Sequence, residues 1–109
     1  MAAVFANKSF TINDWRVDPA LNRLSRADEV VKIDPQNMKV LELLASRAGE
    51  VISQSEIEET AWSGVIVTPN SVYQSIAQLR RALGDSKNNP RYIETIARKG
   101  YRCIASVLY

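Results

Sequence analysis

The 109-residue sequence has no histidine, one cysteine, four glycines and four prolines. Without histidine there is no Ser-His-Asp or Cys-His nucleophile system, no HExxH metal site and no imidazole proton shuttle. A single thiol, Cys103, builds neither an internal disulfide framework nor a thiolate metal cluster, so no cofactor and no metal are expected. No stretch approaches the roughly 20 apolar residues that cross a bilayer. The start, MAAVFANKSF, lacks the basic residues, apolar run and cleavage site of a signal peptide. This segment is therefore expected not to span a membrane and to work in the reducing cytoplasm. Carboxylates, lysines and tyrosines remain for chemistry, and they need a cleft that a small single-core domain seldom provides. The expectation is a binding protein with no small-molecule substrate, and no enzyme.

What is present fits one globular domain. Hydrophobic residues make up 46% of the chain and charged residues 24%, and there is no repeat or linker-like run. Residues 1–9 are expected to form a flexible tail before a folded domain over 10–109. The net charge is only +2, but its distribution is uneven: residues 80–109 carry seven basic and two acidic side chains, residues 1–79 seven basic and ten acidic. Such an asymmetry steers a polyanion to one end of a molecule.

Along the chain, residues 10–33 have short β-like alternation, with Thr11, Asn13, Trp15 and Val17 set against Phe10, Ile12, Asp14 and Arg16, and turn signals at Asp18-Pro19 and Arg26-Ala27-Asp28. Three or four short antiparallel strands are expected. Asp34-Pro35 then starts a helix with an apolar face of Met38, Leu41, Leu44, Ala45 and Ala48, widened by Val40 and Leu43 and stopped by Gly49. Ser53 and Glu56 read as a capping box, with Ile52 and Ile57 as a hydrophobic staple, for a second helix ending near Trp62. Ser63-Gly64 breaks it. Thr68-Pro69 starts a third helix that ends at Leu83-Gly84, and Val72, Ile76, Leu79 and Leu83 fall in a stripe about 60° wide. Two β segments follow, Tyr92 to Ile96 and Tyr101 to Ala105, around the turn Ala97-Arg98-Lys99-Gly100, where glycine is expected to take a positive φ. Residues 106–109 read as a truncation point or a plain terminus. A small antiparallel sheet, three helices and a C-terminal hairpin describe an α+β winged helix-turn-helix.

Opposite its seam, the third helix carries Asn70, Gln74, Ala77, Gln78 and Arg81, with Ser71, Ser75 and Arg80 on the shoulders and no acidic residue. Amides, hydroxyls and guanidinia match the donor and acceptor edges of bases in a DNA major groove. The Thr68-Pro69 start aims free backbone N–H groups toward a nearby phosphate. Arg98 and Lys99 at the hairpin tip add cations on the same basic third of the chain.

Three stretches carry a family resemblance: LELLASRAGEVISQSEIEETAW, SVYQSIAQLRRALGD and RYIETIARKGYR. From Leu41 through Arg102 the chain resembles the OmpR/PhoB-type winged-helix domain of bacterial transcription factors, and within it the ToxR/CadC branch. In that branch the DNA-binding domain comes first and is usually followed by a transmembrane helix and a periplasmic sensor, so a full-length protein continuing beyond residue 109 would be anchored in the inner membrane. The resemblance implies double-stranded promoter DNA as partner, at repeated half-sites. It makes residues 69–83 the recognition helix and residues 97–100 the minor-groove wing, and makes residues 63–67 a segment that touches RNA polymerase in some relatives. Carried over by position, Asn70, Ser71, Gln74, Gln78, Arg80 and Arg81 match recognition-helix contact positions, and the expected contact set adds Thr68 and Ser75 on the helix and Arg98, Lys99 and Arg102 on the hairpin. Trp62 matches a tryptophan at the end of the middle helix, and its aromatic body is expected to pack in the core. The chain departs from response-regulator relatives at Ala97, where they often have arginine, and at Gln74, Ala77 and Gln78, where they are basic. Both departures imply a different operator.

Two other readings are open at this point. A winged helix can serve as a protein-docking module, here through Val65-Ile66-Val67 and an edge strand. A carboxylate hydrolase built on Glu56, Glu58 or Glu59 is the third, although helix capping and the helix dipole already account for acids at that place.

Overall fold

The computed structural model describes residues 8–63, 65 and 67–109. Its first layer is an antiparallel sheet of β1 (Phe10–Ile12), β2 (Trp15–Asp18), β3 (Arg23–Arg26), β4 (Glu29–Lys32) and β8 (Val107–Leu108), in the order β4-β3-β2-β1-β8. The helices are α1 (Pro35–Ser46), α2 (Gln54–Ala61) and α3 (Pro69–Leu83). A second sheet joins β5 (Val51–Ile52), β7 (Gly100–Cys103) and β6 (Ile93–Ile96), in the order β5-β7-β6. This is the expected winged helix.

The inward residues of the first sheet differ from simple alternation. Phe10, Ile12, Trp15 and Val17 are all buried, because Asn13-Asp14 is a two-residue turn that pairs Ile12 with Trp15. Cross-strand partners share a face, so the turn resets the phase that continuous alternation would carry through. Asn13 takes φ 52° there, which asparagine tolerates.

The last residues also add a strand to the first sheet. Val107 and Leu108 pair with Ile12 and Thr11 to make β8. Asn13 clamps the junction: its N–H donates to Ser106 O at 2.8 Å, and its Oδ1 accepts from Ser106 N at 2.9 Å. Most of the expected N-terminal tail, residues 1–7, lies outside the described residues; Ser9, at its end, donates to Asp18 Oδ1 at 2.8 Å.

The helix starts follow their local chemistry. Asp34 Oδ1 accepts from Gln36 N at 2.8 Å, and Ser53 Oγ accepts from Glu56 N at 3.1 Å. The other half of the capping box is diverted, since the Glu56 carboxylate pairs with Arg47 instead. Ile52 and Ile57 are both fully buried, as a staple requires. Ala48 falls beyond the end of α1 and is exposed, so it adds nothing to the core face.

One core joins these layers. Leu41 and Leu44 of α1, Ile57 of α2, Ile76 and Leu79 of α3, and Trp15 and Leu24 of the sheet are all buried. Trp15 also donates its indole N–H to Leu83 O at 3.0 Å, satisfying a carbonyl that the end of α3 leaves free. Tyr92, fully buried, donates its hydroxyl to Asp14 Oδ1 at 2.7 Å, and that bond holds the Asp14 carboxyl below its usual range.

Burial also acts on α1, where it pushes the Glu42 carboxyl above its ordinary value. In the unfolded chain Glu42 ionises at the ordinary glutamate value, so stability present in acid is lost as the pH rises through the raised folded value. Glu42→Gln should remove this loss. Thermal unfolding should show the variant melting above the parent at neutral pH and alongside it below a pH of about 4.

Candidate nucleic-acid interface

The roll of α3 about its axis decides which side chains meet a partner. Val72, Ile76, Leu79 and Leu83 are each at most 1% exposed, and this seam fixes the roll. Asn70, Gln74, Gln78 and Arg81 consequently stand exposed on the outer side, with Tyr73 exposed on one shoulder and Ser71 and Ala77 half-buried. Pro69 opens the helix, and Gly84 closes it with φ 75°, its N–H returning to the carbonyls of Arg80 and Arg81. Thr68 occupies the N-cap but gives no side-chain bond to the backbone; its hydroxyl lies 3.5 Å from that of Ser71, with Thr68 exposed and Ser71 half-buried at the helix start. The helix contains no acidic residue, and its last turn carries Arg80 and Arg81.

Three residues of the expected contact set are committed elsewhere. Ser75 is 4% exposed because α1 packs on that flank, and its hydroxyl donates to Asn37 Oδ1 at 2.6 Å. Arg80 is 7% exposed: its Nη2 donates to Ile93 O and to Thr95 Oγ1, both at 2.9 Å. It sits at the edge of the apolar seam, against β6, so its guanidinium braces the hairpin and does not face solvent. Arg102, in β7, is half-buried and gives its Nε and Nη2 to Glu94 Oε1 at 3.0 and 2.5 Å, which neutralises it within the sheet. Of the expected contact set, the helix therefore keeps Thr68, Asn70, Ser71, Gln74, Gln78 and Arg81 accessible.

The hairpin pairs Ile93 with Cys103 and Ile96 with Gly100, leaving Ala97, Arg98 and Lys99 as a three-residue tip. Arg98 and Lys99 are exposed. Gly100 takes the positive φ expected from the sequence, at 147°, and Arg98 adds a second left-handed residue at φ 64°. Gly100 is constrained in space as well: a Cβ there would run into the carbonyl oxygen of Ile52. That close approach sets the wing against β5 and the start of α2. Ser53, Gln54 and Ser55 face Arg98, Lys99 and Gly100 across an open cleft of about 330 Å³. The base of the hairpin is ordered by Asp85, whose carboxylate accepts from the N–H groups of Arg91 (2.7 Å), Tyr92 (3.3 Å) and Ile93 (2.9 Å).

Other candidate positions resolve simply. Cys103 is buried, and burial pushes its thiol up, which suits a core residue. Trp62 is half-buried and packs against the core. Glu56 pairs with Arg47 and Glu58 accepts from Gln54 Nε2 at 3.3 Å, so these acids serve α2. Among the described residues, no three His, Cys, Asp or Glu side chains gather to hold a metal. No helix among them is long and apolar enough to cross a membrane. In the 63–67 segment, Gly64 and Ile66 lie outside the described residues, while Val65 is exposed.

Sequence reasoning missed Asn37, Tyr73 and Thr95. Tyr73 was findable as a shoulder position, about a quarter-turn from the seam and on the same flank as Arg80, and it carries Lys87 5.6 Å from its ring centroid. Asn37 and Thr95 act across elements and leave no local signal.

Comparison with known proteins places these features in a family. A family model described as "Transcriptional regulatory protein, C terminal" matches residues 28–103. The chain is 33% identical over 99 residues to the transcriptional activator CadC of Escherichia coli, an alignment covering 90% of this chain and 19% of CadC. It is 35% identical to the cholera toxin transcriptional activator of Vibrio cholerae, covering 83% of this chain and 32% of that protein. The chain thus spans a third or less of these curated relatives. Among solved structures, the DNA-binding domain of E. coli CadC superposes with a TM-score of 0.86 at 31% identity, covering 95% of this chain and 99% of that one. The Klebsiella pneumoniae RstA DNA-binding domain, in complex with the RstA box, gives 0.77 at 25% identity, covering 89% and 97%.

Two substitutions test the wing geometry. Gly100→Ala should lower the unfolding free energy by at least about 2 kcal/mol, through strain against Ile52. Arg98→Gly should raise it by up to about 1 kcal/mol by relieving the left-handed residue. Denaturant titration of both variants reads the two signs.

Proposed function

Because the chain belongs to the OmpR/PhoB-type family of transcriptional regulatory protein C-terminal domains, we propose that it binds double-stranded DNA sequence-specifically as the effector domain of a bacterial transcriptional regulator. The observation that carries this reading is the exposed, acid-free face of α3, since a solvated helix ordinarily mixes both signs of charge. Asn70, Gln74, Gln78 and Arg81 reach base edges in the major groove. Arg can bridge guanine O6 and N7, and the amides can donate and accept against bases. Thr68 and Ser71 bond phosphate at the helix start. Arg98 and Lys99 at the tip enter the flanking minor groove, where a narrow A·T-rich groove concentrates negative potential. Ser75, Arg80 and Arg102 hold these parts in place from within.

The relative solved on its own box supports DNA as the ligand, and pairing on repeated half-sites fits a domain of this size. A protein that reads promoter DNA works in the cytoplasm. The exposed Val65 supports a contact between the 63–67 segment and RNA polymerase. That contact predicts that Val65→Asp lowers transcription from a responsive promoter while leaving DNA affinity unchanged.

Binding isotherms at several salt concentrations test the main reading. Arg81, Lys87, Arg91, Arg98 and Lys99 are exposed cations, so log K should fall against log[salt] with a slope of about −4 to −5. Gln74→Ala and Arg81→Ala should each weaken the preferred site by about 1–3 kcal/mol more than random DNA. Arg98→Ala should weaken both, or relax a preference for A·T-rich flanks. Equal losses on both DNAs for all three would contradict base reading by α3, and no binding at low salt would favour the protein-docking alternative.

A further inference from the structure

Behind the exposed face of α3 runs a buried polar chain. Asn37, on α1, is 7% exposed and lies beside the buried Met38, Val40 and Leu41. A carboxamide there is tolerated only if it is hydrogen-bonded, and an apolar side chain would sit at that position without that requirement. Its partners are both on α3. Ser75 Oγ donates to Asn37 Oδ1 at 2.6 Å, and Asn37 Nδ2 donates to Gln78 Oε1 at 2.7 Å. A hydroxyl, a buried amide and an exposed amide are thus linked in one direction, from the interior to the surface.

That direction governs what Gln78 shows to a partner. A carboxamide has an acceptor end and a donor end. Here Oε1 is turned inward onto Asn37, so Nε2 with its two N–H groups is the free end. The usual glutamine–adenine pair needs both ends toward the base, with the oxygen accepting from N6 and the nitrogen donating to N7. Guanine offers two acceptors, N7 and O6, whereas cytosine offers only the N4 donor.

We propose that Asn37 and Ser75 are positioning residues that lock Gln78 as a hydrogen-bond donor, so that the base facing Gln78 is selected as guanine in preference to adenine. This inference rests on the DNA reading above. Neither Asn37 nor Ser75 touches the duplex, as both lie buried on the inner side of Gln78. The lock also removes rotamer freedom from Gln78 before binding, so less order has to be imposed on contact.

Two measurements on the 109-residue chain test the lock. The first needs no DNA: side-chain amide exchange by NMR should show the Asn37 Nδ2 protons protected and the Gln78 Nε2 protons exchanging like a solvated amide. Protected Gln78 protons would overturn the assigned orientation. The second is selection of bound duplexes from a random pool. The parent should favour guanine over adenine about tenfold at one position, and Gln78→Ala should lose the preference there alone. Asn37→Asp offers only acceptor oxygens, so Gln78 should turn its nitrogen inward and its oxygen outward. The preference at that position should then move to adenine or cytosine, with the rest of the site retained. Ser75→Ala removes the donor that orients Asn37 and should weaken the guanine preference at the same position. It carries the test if Asn37→Asp fails to fold. An unchanged guanine preference in both variants, or equal losses across the whole site, would overturn the proposal. A parent chain that selects no duplex would remove the selectivity and the DNA reading together, while the exchange data would still report the amide orientation on their own.

Discussion

The burial of one narrow stripe of α3 is the constraint on which the rest of the interface depends. Four aliphatic residues, Val72, Ile76, Leu79 and Leu83, occupy the core, and turning the helix by half a residue's arc would lift one of them into water. Each such side chain is worth about 1.5–3 kcal/mol when buried, so the roll is held far more firmly than any single surface contact could hold it. The amide and guanidinium face is therefore a consequence of core packing. It is available before a partner arrives, and binding does not have to create it.

Polar contacts then set what apolar packing leaves free. The Trp15 indole reaches the last carbonyl of α3 and fixes the helix end against the first sheet. Arg80 leaves the other side of the helix for Ile93 and Thr95, tying β6 to α3. Buried guanidinia are costly unless hydrogen-bonded, and spending one on this brace makes sense where the relative placement of helix and wing matters. Gly100 completes the arrangement by letting the wing approach the carbonyl of Ile52. The wing and the start of α2 thus meet at fixed positions around an open cleft.

Much of this was legible in the sequence because it is local. Asp34-Pro35, Ser53 and Thr68-Pro69 mark helix starts within a few residues, and the α3 stripe repeats with the helical period, so the three helices and the exposed side of α3 follow directly. What escaped is non-local. The strand phase shifted at Asn13-Asp14 because a tight turn counts differently from a continuous strand. The pairing of Val107 and Leu108 with β1 brings together residues from opposite ends of the chain. Ser75 and Arg80 look like surface residues on a helical wheel, and only the packing of α1 and β6 against their flanks takes them inside. Arg102 was read as a free cation because nothing near it in sequence identifies Glu94 as its partner across the hairpin.

The most direct test of the central claim is a residue-resolved NMR titration of the isotopically labelled chain with a duplex selected from a random pool. The account predicts that the side-chain signals of Asn70, Gln74, Gln78 and Arg81 shift most, together with those of Arg98 and Lys99, while the buried seam and Arg80 stay in place. Shifts concentrated on β4 or around Val65, with the outer side of α3 unmoved, would contradict it.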